Sequence, residues 1–176
     1  MTTTINASTS SGLVVTPDNS GNVLLQYNGV AAPAFSVYST ATQYPATGTE
    51  TLVVFGAEYY DTANCFNTST SRFTPNVAGY YQFSASVAMA ADGGTSAMQL
   101  YFWKNGSGLN IPAYENTSQT GVGYQGANAS TLMYLNGTTD YVEVYGRVVG
   151  TGTNRYFFAS SSTHPTAFTG CLLRGA

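Results

Sequence analysis

From Tyr81 to Val87 the chain alternates without a break: Tyr81, Phe83, Ala85 and Val87 fall on one side, and Gln82, Ser84 and Ser86 on the other. A period of two sets one face of a strand against a core and leaves the other to solvent. Pro75 and Gly79 bracket the turn that feeds this strand, Pro by fixing φ and Gly by permitting positive φ. The stretch 59–87 therefore reads as a short strand, a turn and a second, half-buried strand. Similar signals recur from Ala34 onward, at 34–38, 51–55, 65–67, 72–73, 79–88, 97–104, 111–114, 130–135, 141–149, 155–159 and 166–173. That spacing is the rhythm of an all-β sandwich. The separators are rich in Gly and Asn: Asp92-Gly93-Gly94, Asn105-Gly106-Ser107-Gly108, Asn136-Gly137 and Gly150-Thr151-Gly152. Asn-Gly pairs supply the positive φ that tight hairpins need. No segment keeps a 3.6-residue period over ten residues, so helix is expected to be almost absent. About ten strands fit a two-sheet jelly roll.

Residues 1–32 have a different character and are set apart from the domain at 33–176. Thr2 to Ser11 is almost entirely Thr, Ser, Asn and Ala. Two apolar runs follow, Leu13-Val14-Val15 and Val23-Leu24-Leu25 with Tyr27, on either side of Asp18-Asn19-Ser20-Gly21. This pattern predicts a β-hairpin or bent strand pair. A lone hairpin is marginal in water and must dock on something larger. The segment is read as an N-terminal attachment arm, with Leu13, Val14, Val15, Val23, Leu24, Leu25 and Tyr27 as its contact residues.

Composition sharpens this picture. Of 176 residues 43% are hydrophobic and 14% aromatic, enough for a real core, yet only 7% are charged. Ordinary soluble domains carry about 25% charged residues. A surface so poor in charge suits an obligate oligomer or a part of a rigid assembly. The five basic residues, Arg72, Lys104, Arg147, Arg155 and Arg174, are scattered in a chain of net charge −3. Nucleic-acid binding, which needs clustered cations, is not expected. No apolar run reaches membrane-spanning length. The first residues, Met1 to Asn6, lack the charged and apolar regions of a secretory leader. An outdoor composition made in a cytoplasm fits a virion protein released by host lysis. Cys65 and Cys171, both in strand segments among apolar neighbours, are read as buried free thiols.

Six ordered blocks between residues 34 and 174 resemble the C1q/TNF-like jelly-roll family. They are Ala34-Phe35-Ser36-Val37; Tyr60-Asp61-Thr62 with Phe66; Phe73-Thr74-Pro75 leading to Gly79-Tyr80-Tyr81 and Phe83; Leu100 to Gly106, ending in Lys104-Asn105-Gly106; Leu132 to Val144 through Asn136-Gly137; and Phe168-Thr169-Gly170-Cys171-Leu172-Leu173. Thr169 and Cys171 depart from the family's usual Ser and aromatic in the closing strand. Residues 1–32 carry no collagen-like Gly-X-Y repeat, and their segment 11–21 resembles stretches of bacteriophage tail, fibre and head-surface proteins. The resemblance implies a homotrimer that recognises other molecules without catalysis. Tyr80, Tyr81, Phe83, Tyr101, Trp103, Tyr145 and Phe168 are the expected core or trimer-contact residues, with Phe83 and Phe168 assigned to the core.

No chemistry-bearing motif competes with this reading. His164 is the sole histidine and lies in a Ser/Thr/Pro loop without a nucleophile elbow. The eight acids show no metal-loop spacing, and Asp61 and Asp140 are read as turn caps. No catalytic residue, metal site or cofactor is expected. The expected function is a phage virion protein, held to the capsid or tail by its arm, for host-surface adhesion or capsid decoration. Any host glycan or protein would meet the loops at 92–96, 105–110, 116–128 and 150–154. The alternative is a soluble bacterial C1q-like lectin.

Overall fold

The computed structural model describes residues 26–27, 30–93, 95–108, 113–115, 125–161 and 165–176. These form β1 (Gln26–Tyr27), β2 (Val30–Ala31), β3 (Ala34–Tyr38), β4 (Thr51–Leu52), β5 (Ala57–Asp61), β6 (Phe66–Asn67), β7 (Arg72–Phe73) and β8 (Gly79–Ala91). The second half adds β9 (Thr95–Lys104), β10 (Ser107–Gly108), β11 (Ala113–Glu115), β12 (Gln125–Leu135), β13 (Val142–Gly150), β14 (Arg155–Phe157) and β15 (Ala167–Gly175). No helix occurs among the described residues.

The strands build two sheets and a separate pair. A seven-stranded sheet runs β10-β9-β13-β7-β6, with β11 on β9 and β4 on β13. A six-stranded sheet runs β12-β8-β15-β3-β5, with β14 beside β8. Every strand pairing among the described residues is antiparallel, and β3, the first long strand, lies against β15, the last. The pair β1–β2 stands alone, joining Tyr27 to Val30 and Gln26 to Ala31 across the Asn28-Gly29 dipeptide. Of the expected arm contacts only Tyr27 falls within the described residues, and the hairpin expected around 18–21 lies outside them. The chain enters the sandwich beside β15, where the Pro33 carbonyl accepts from Leu172 N at 2.8 Å.

The alternation that opens the sequence reading governs β8. Its odd positions from Gly79 to Val87 are buried, whereas Tyr80 and Ser84 are exposed. The inward side chains meet in an aromatic core. Phe35 stacks on Phe73 of the facing sheet at 4.5 Å and meets Phe168 edge-on at 4.8 Å. Phe83 and Phe102 complete the contact between sheets with Phe168. Tyr81 is also fully buried, and its hydroxyl donates to the Val77 carbonyl at 2.7 Å. Burial of that ring is tolerable because the one polar atom is paired.

Gly79 is required for a reason other than the one its sequence context implied. It is absent from the glycines with positive φ, but a Cβ there would lie 2.4 Å from the Arg174 carbonyl oxygen. The Asn-Gly pairs also differ from one another. Asn105 and Gly106 take φ of 54° and 75° and join β9 to its neighbour β10, a two-residue hairpin. Asn136-Gly137 instead lies on a crossing from β12 in one sheet to β13 in the other. There the Asn136 side-chain oxygen gathers the amides of Thr138, Thr139 and Asp140 at 3.0, 3.0 and 2.9 Å. Asp92-Gly93 and Gly150-Thr151-Gly152 also lead between sheets. They clasp each other, with Asp92 accepting from Thr153 Oγ1 at 3.0 Å and Asn154 N at 3.1 Å.

Candidate functional site

The seven residues expected in the core or at a trimer contact fall into three groups. Tyr81, Phe83 and Phe168 sit in the core at 0% exposure. Tyr80 is 46% exposed on the outward face of the six-stranded sheet. Tyr101, Trp103 and Tyr145 are half-buried on the outward face of the seven-stranded sheet, with Tyr101 directly opposite Tyr145. The two outward faces differ in chemistry.

On the six-stranded sheet the outward residues form rows across the strands. Tyr134 pairs opposite Tyr80, with rings 5.6 Å apart at 63°. The next row holds Leu132, Gln82 and Cys171. A row of hydroxyls follows, Ser130, Ser84, Thr169 and Ser36, ending at Tyr60. Tyr60, Gln82, Ser84, Thr169 and Cys171 surround a shallow depression of about 150 Å³. Leu132, Leu173 and Tyr60 are exposed at 52, 65 and 52%. Sequence reasoning placed Leu132 and Leu173 in family-like blocks but assigned neither of them, nor Tyr134, to a contact. The run 132–135 offers apolar or aromatic residues to both faces of β12, so its period is blurred.

Cys171 corrects an expectation. It is exposed, whereas Cys65 is buried; both are free thiols. Phe168 and Gly170 point inward, so strand parity turns Cys171 outward whatever its neighbours. Burial pushes the Cys65 thiol above its ordinary range.

The outward face of the seven-stranded sheet is built of stacked rings and paired ions. Trp103 lies on Tyr145 at 3.9 Å with 16° between planes. Glu143, opposite Trp103, is 2% exposed and accepts from Arg72 Nε at 2.7 Å. The Arg72 guanidinium also covers the Tyr141 ring at 4.3 Å. Burial, with Glu143 nearby, raises the Tyr145 phenol above its ordinary value. One register step further, Arg147 stands opposite Gln99 and donates to its side-chain oxygen, and its Nε donates to the Gly48 carbonyl at 2.8 Å.

A third cluster knits strand ends. Asp140 accepts from Asn105 Nδ2 at 2.8 Å and Asn136 N at 3.0 Å and pairs with Lys104 Nζ at 2.9 Å. Burial pushes this carboxyl up, but the three donors and the lysine charge outweigh it and hold it below the usual carboxylate range. Asp61 likewise caps the turn after β5, accepting from Ala63 N and Phe66 N at 3.2 and 2.7 Å. Among the described residues no three His, Cys, Asp or Glu side chains converge as metal ligands. His164, residues 109–110 of the loop expected at 105–110 and residues 116–124 of that expected at 116–128 lie outside the described residues.

An all-β sandwich whose first and last long strands pair side by side, with inter-sheet crossings at its ends, defines the jelly-roll class. Residues 34–173 match the C1q domain family, and the chain belongs to it. Solved structures agree on the fold. The globular domain of zebrafish complement 1qA protein is 20% identical, covering 82% of this chain and 99% of its own, with a TM-score of 0.56. Murine APRIL at pH 5.0 is 13% identical over 81% of this chain and 99% of its own, with a TM-score of 0.60. Eiger TNF from S. frugiperda is 9% identical over 82% and 94%, with a TM-score of 0.59. A comparison with curated protein sequences finds no match.

Proposed function

We propose that this protein is a non-enzymatic, homotrimeric virion protein of a bacteriophage. Its residues 1–32 attach it to the capsid or tail, and its C1q-like domain faces outward for host-surface adhesion or capsid decoration. The observation that carries self-association is the outward face of the six-stranded sheet. Tyr80, Leu132 and Tyr134 are exposed together there, with exposed Leu173 at the β15 bulge beside Tyr80, on a chain with 7% charge. Large apolar groups gathered on one face of so uncharged a domain mark a surface meant to be covered. Two further copies packed around a threefold axis cover it, each meeting the next through a heterologous contact that closes the ring. The TNF and complement proteins of like fold support this reading. The arm supports the particle: its apolar runs precede β3, and the chain enters beside β15 at the end of the sheet that carries Tyr80 and Leu173.

Electron microscopy of the source particle tests the reading. Density for this chain on head or tail, lost when residues 1–32 are deleted, is the expected result. A particle without such density, alongside a free carbohydrate-binding trimer, would establish the soluble lectin instead. Analytical ultracentrifugation tests assembly separately, with trimer expected at micromolar concentration. Leu132→Lys should drive the protein toward monomer, since a buried unpaired ammonium is costly. A monomeric parent protein refutes the trimer.

A further inference from the structure

We propose that the outward face of the seven-stranded sheet binds a carboxylate-bearing pyranose, the repeating unit of an acidic glycan. This deepens the adhesion reading above and rests on it for the orientation of the domain. With the six-stranded face given to the trimer, this second face is the broad surface left to meet another molecule.

Three features converge on that ligand. The first is a ring platform. Tyr101 and Tyr145 stand opposite each other in register, and Trp103 backs Tyr145 at 3.9 Å. Gly108, paired opposite Trp103, packs its backbone close to the indole, where a Cβ would come within 3.2 Å of Nε1, so Trp103 supports Tyr145 from beside it. The second is an oriented cation. Arg72 and Lys104 have carboxylate partners, whereas Arg147 has none within 4.0 Å among the described residues. Its guanidinium is instead oriented by Gly48 at Nε and Gln99 at Nη1, and Nη2 makes no hydrogen bond among the described residues, so it can donate to a carboxylate in a charge-assisted bond. Exposed Glu50 lies one step beyond the Thr51–Gly146 register pair and forms no ion pair with Arg147. The third is spacing. Tyr145 and Arg147 are two residues apart on one strand, about 7 Å, so ring and cation can be engaged by one sugar and its carboxylate.

A flat site of this kind binds weakly as a single copy. Three copies on one trimer, bridged by a polymer, can strengthen attachment by about 10²–10⁴-fold. This suits a repeating surface polysaccharide better than a free monosaccharide.

Trp103 is the sole tryptophan and lies in the proposed site, so its fluorescence reports occupancy. The full-length protein is titrated with polygalacturonate, with polysialic acid and with uncharged dextran. A saturable change with at least one acidic polymer and none with dextran is expected. Arg147→Gln should weaken that binding at least tenfold, Arg147→Lys should restore part of it, and Glu50→Gln should tighten it about two- to fivefold. Circular dichroism and melting show whether each variant is folded; Glu50→Gln, on an exposed side chain, keeps the test decisive if the arginine variants are not. No response to either acidic polymer, an equal response to dextran, or unchanged affinity in both Glu50→Gln and a folded Arg147→Gln overturns the proposal. Failure here is distinguishable from failure of the virion reading. Density on the particle without glycan binding sinks only this inference, and glycan binding by a protein absent from the particle sinks only that reading.

Discussion

Gly170 offers a sharp test of the packing. It lies in β15 between the inward Phe168 and the outward Cys171, and a Cβ built on it would stand 2.5 Å from Phe83 Cδ1 and 2.6 Å from Phe35 Cε1. Both rings are fully buried, and both are wedged among other aromatics, so neither can swing aside. Gly170 has no positive φ, so alanine is acceptable to the backbone itself and gains from a less flexible unfolded chain about 0.4–1 kcal/mol. Overpacking costs about 1–3 kcal/mol and should outweigh that gain. A net loss of about 1–2 kcal/mol lowers the melting temperature of a domain this size by about 2–8 °C. Gly126→Ala is the matched control. Gly126 is exposed in β12, and the nearest atom to its added Cβ would be Asn128 Nδ2 at 3.9 Å. The same substitution there should be neutral or slightly stabilising. Both variants are melted by calorimetry at one protomer concentration, because subunit association makes the midpoint concentration-dependent. If Gly170→Ala melts at or above the parent, the account of β15 closing against Phe35 and Phe83 is wrong.

Thiol labelling should separate the cysteines: Cys65 is inert in the native protein, and Cys171 is shielded in the parent trimer but modified rapidly in Leu132→Lys, as read by mass spectrometry. Rapid labelling of Cys171 in an intact trimer would place it outside the contact. The depressed carboxyl of Asp140 gives an acid-side dependence. Its folded value lies below the unfolded one, so its stabilisation is present above the unfolded value of about 3.9 and fades as pH falls through the folded value. Asp140→Asn should therefore destabilise at neutral pH and flatten the loss of stability below about pH 4, measured as urea midpoints across pH. Phe83→Ala, emptying the centre of the aromatic cluster, should cost about 3–5 kcal/mol in denaturant unfolding.

The strands were legible in the sequence because alternation is local. The reading at 34–38 and 72–73 coincides with β3 and β7, and that at 79–88 with most of β8. Sheet membership was not legible, because it depends on partners far along the chain. Two Asn-Gly dipeptides show the difference. At 105–106 the following residues return to the same sheet and the pair makes a hairpin, whereas at 136–137 they cross to the other sheet and Asn136 becomes a cap. The adjacent tyrosines 80 and 81 were grouped together, yet strict alternation already sends them to opposite faces. Cys171 was misread for the same reason, its apolar surroundings having been given more weight than its parity with Phe168. The platform of Trp103 and Tyr145 needed the β9–β13 register, which no local pattern contains.

The union of β3 with β15 has a consequence for biosynthesis. A ribosome must deliver residues 167–175 before the two ends of the sandwich can meet, so until then the chain has an open sheet flank on that side. Closure of the six-stranded sheet thus waits for residues 167–175, and in a nascent chain stalled before residue 167 Ala34–Tyr38 would have β5 on one edge and nothing on the other.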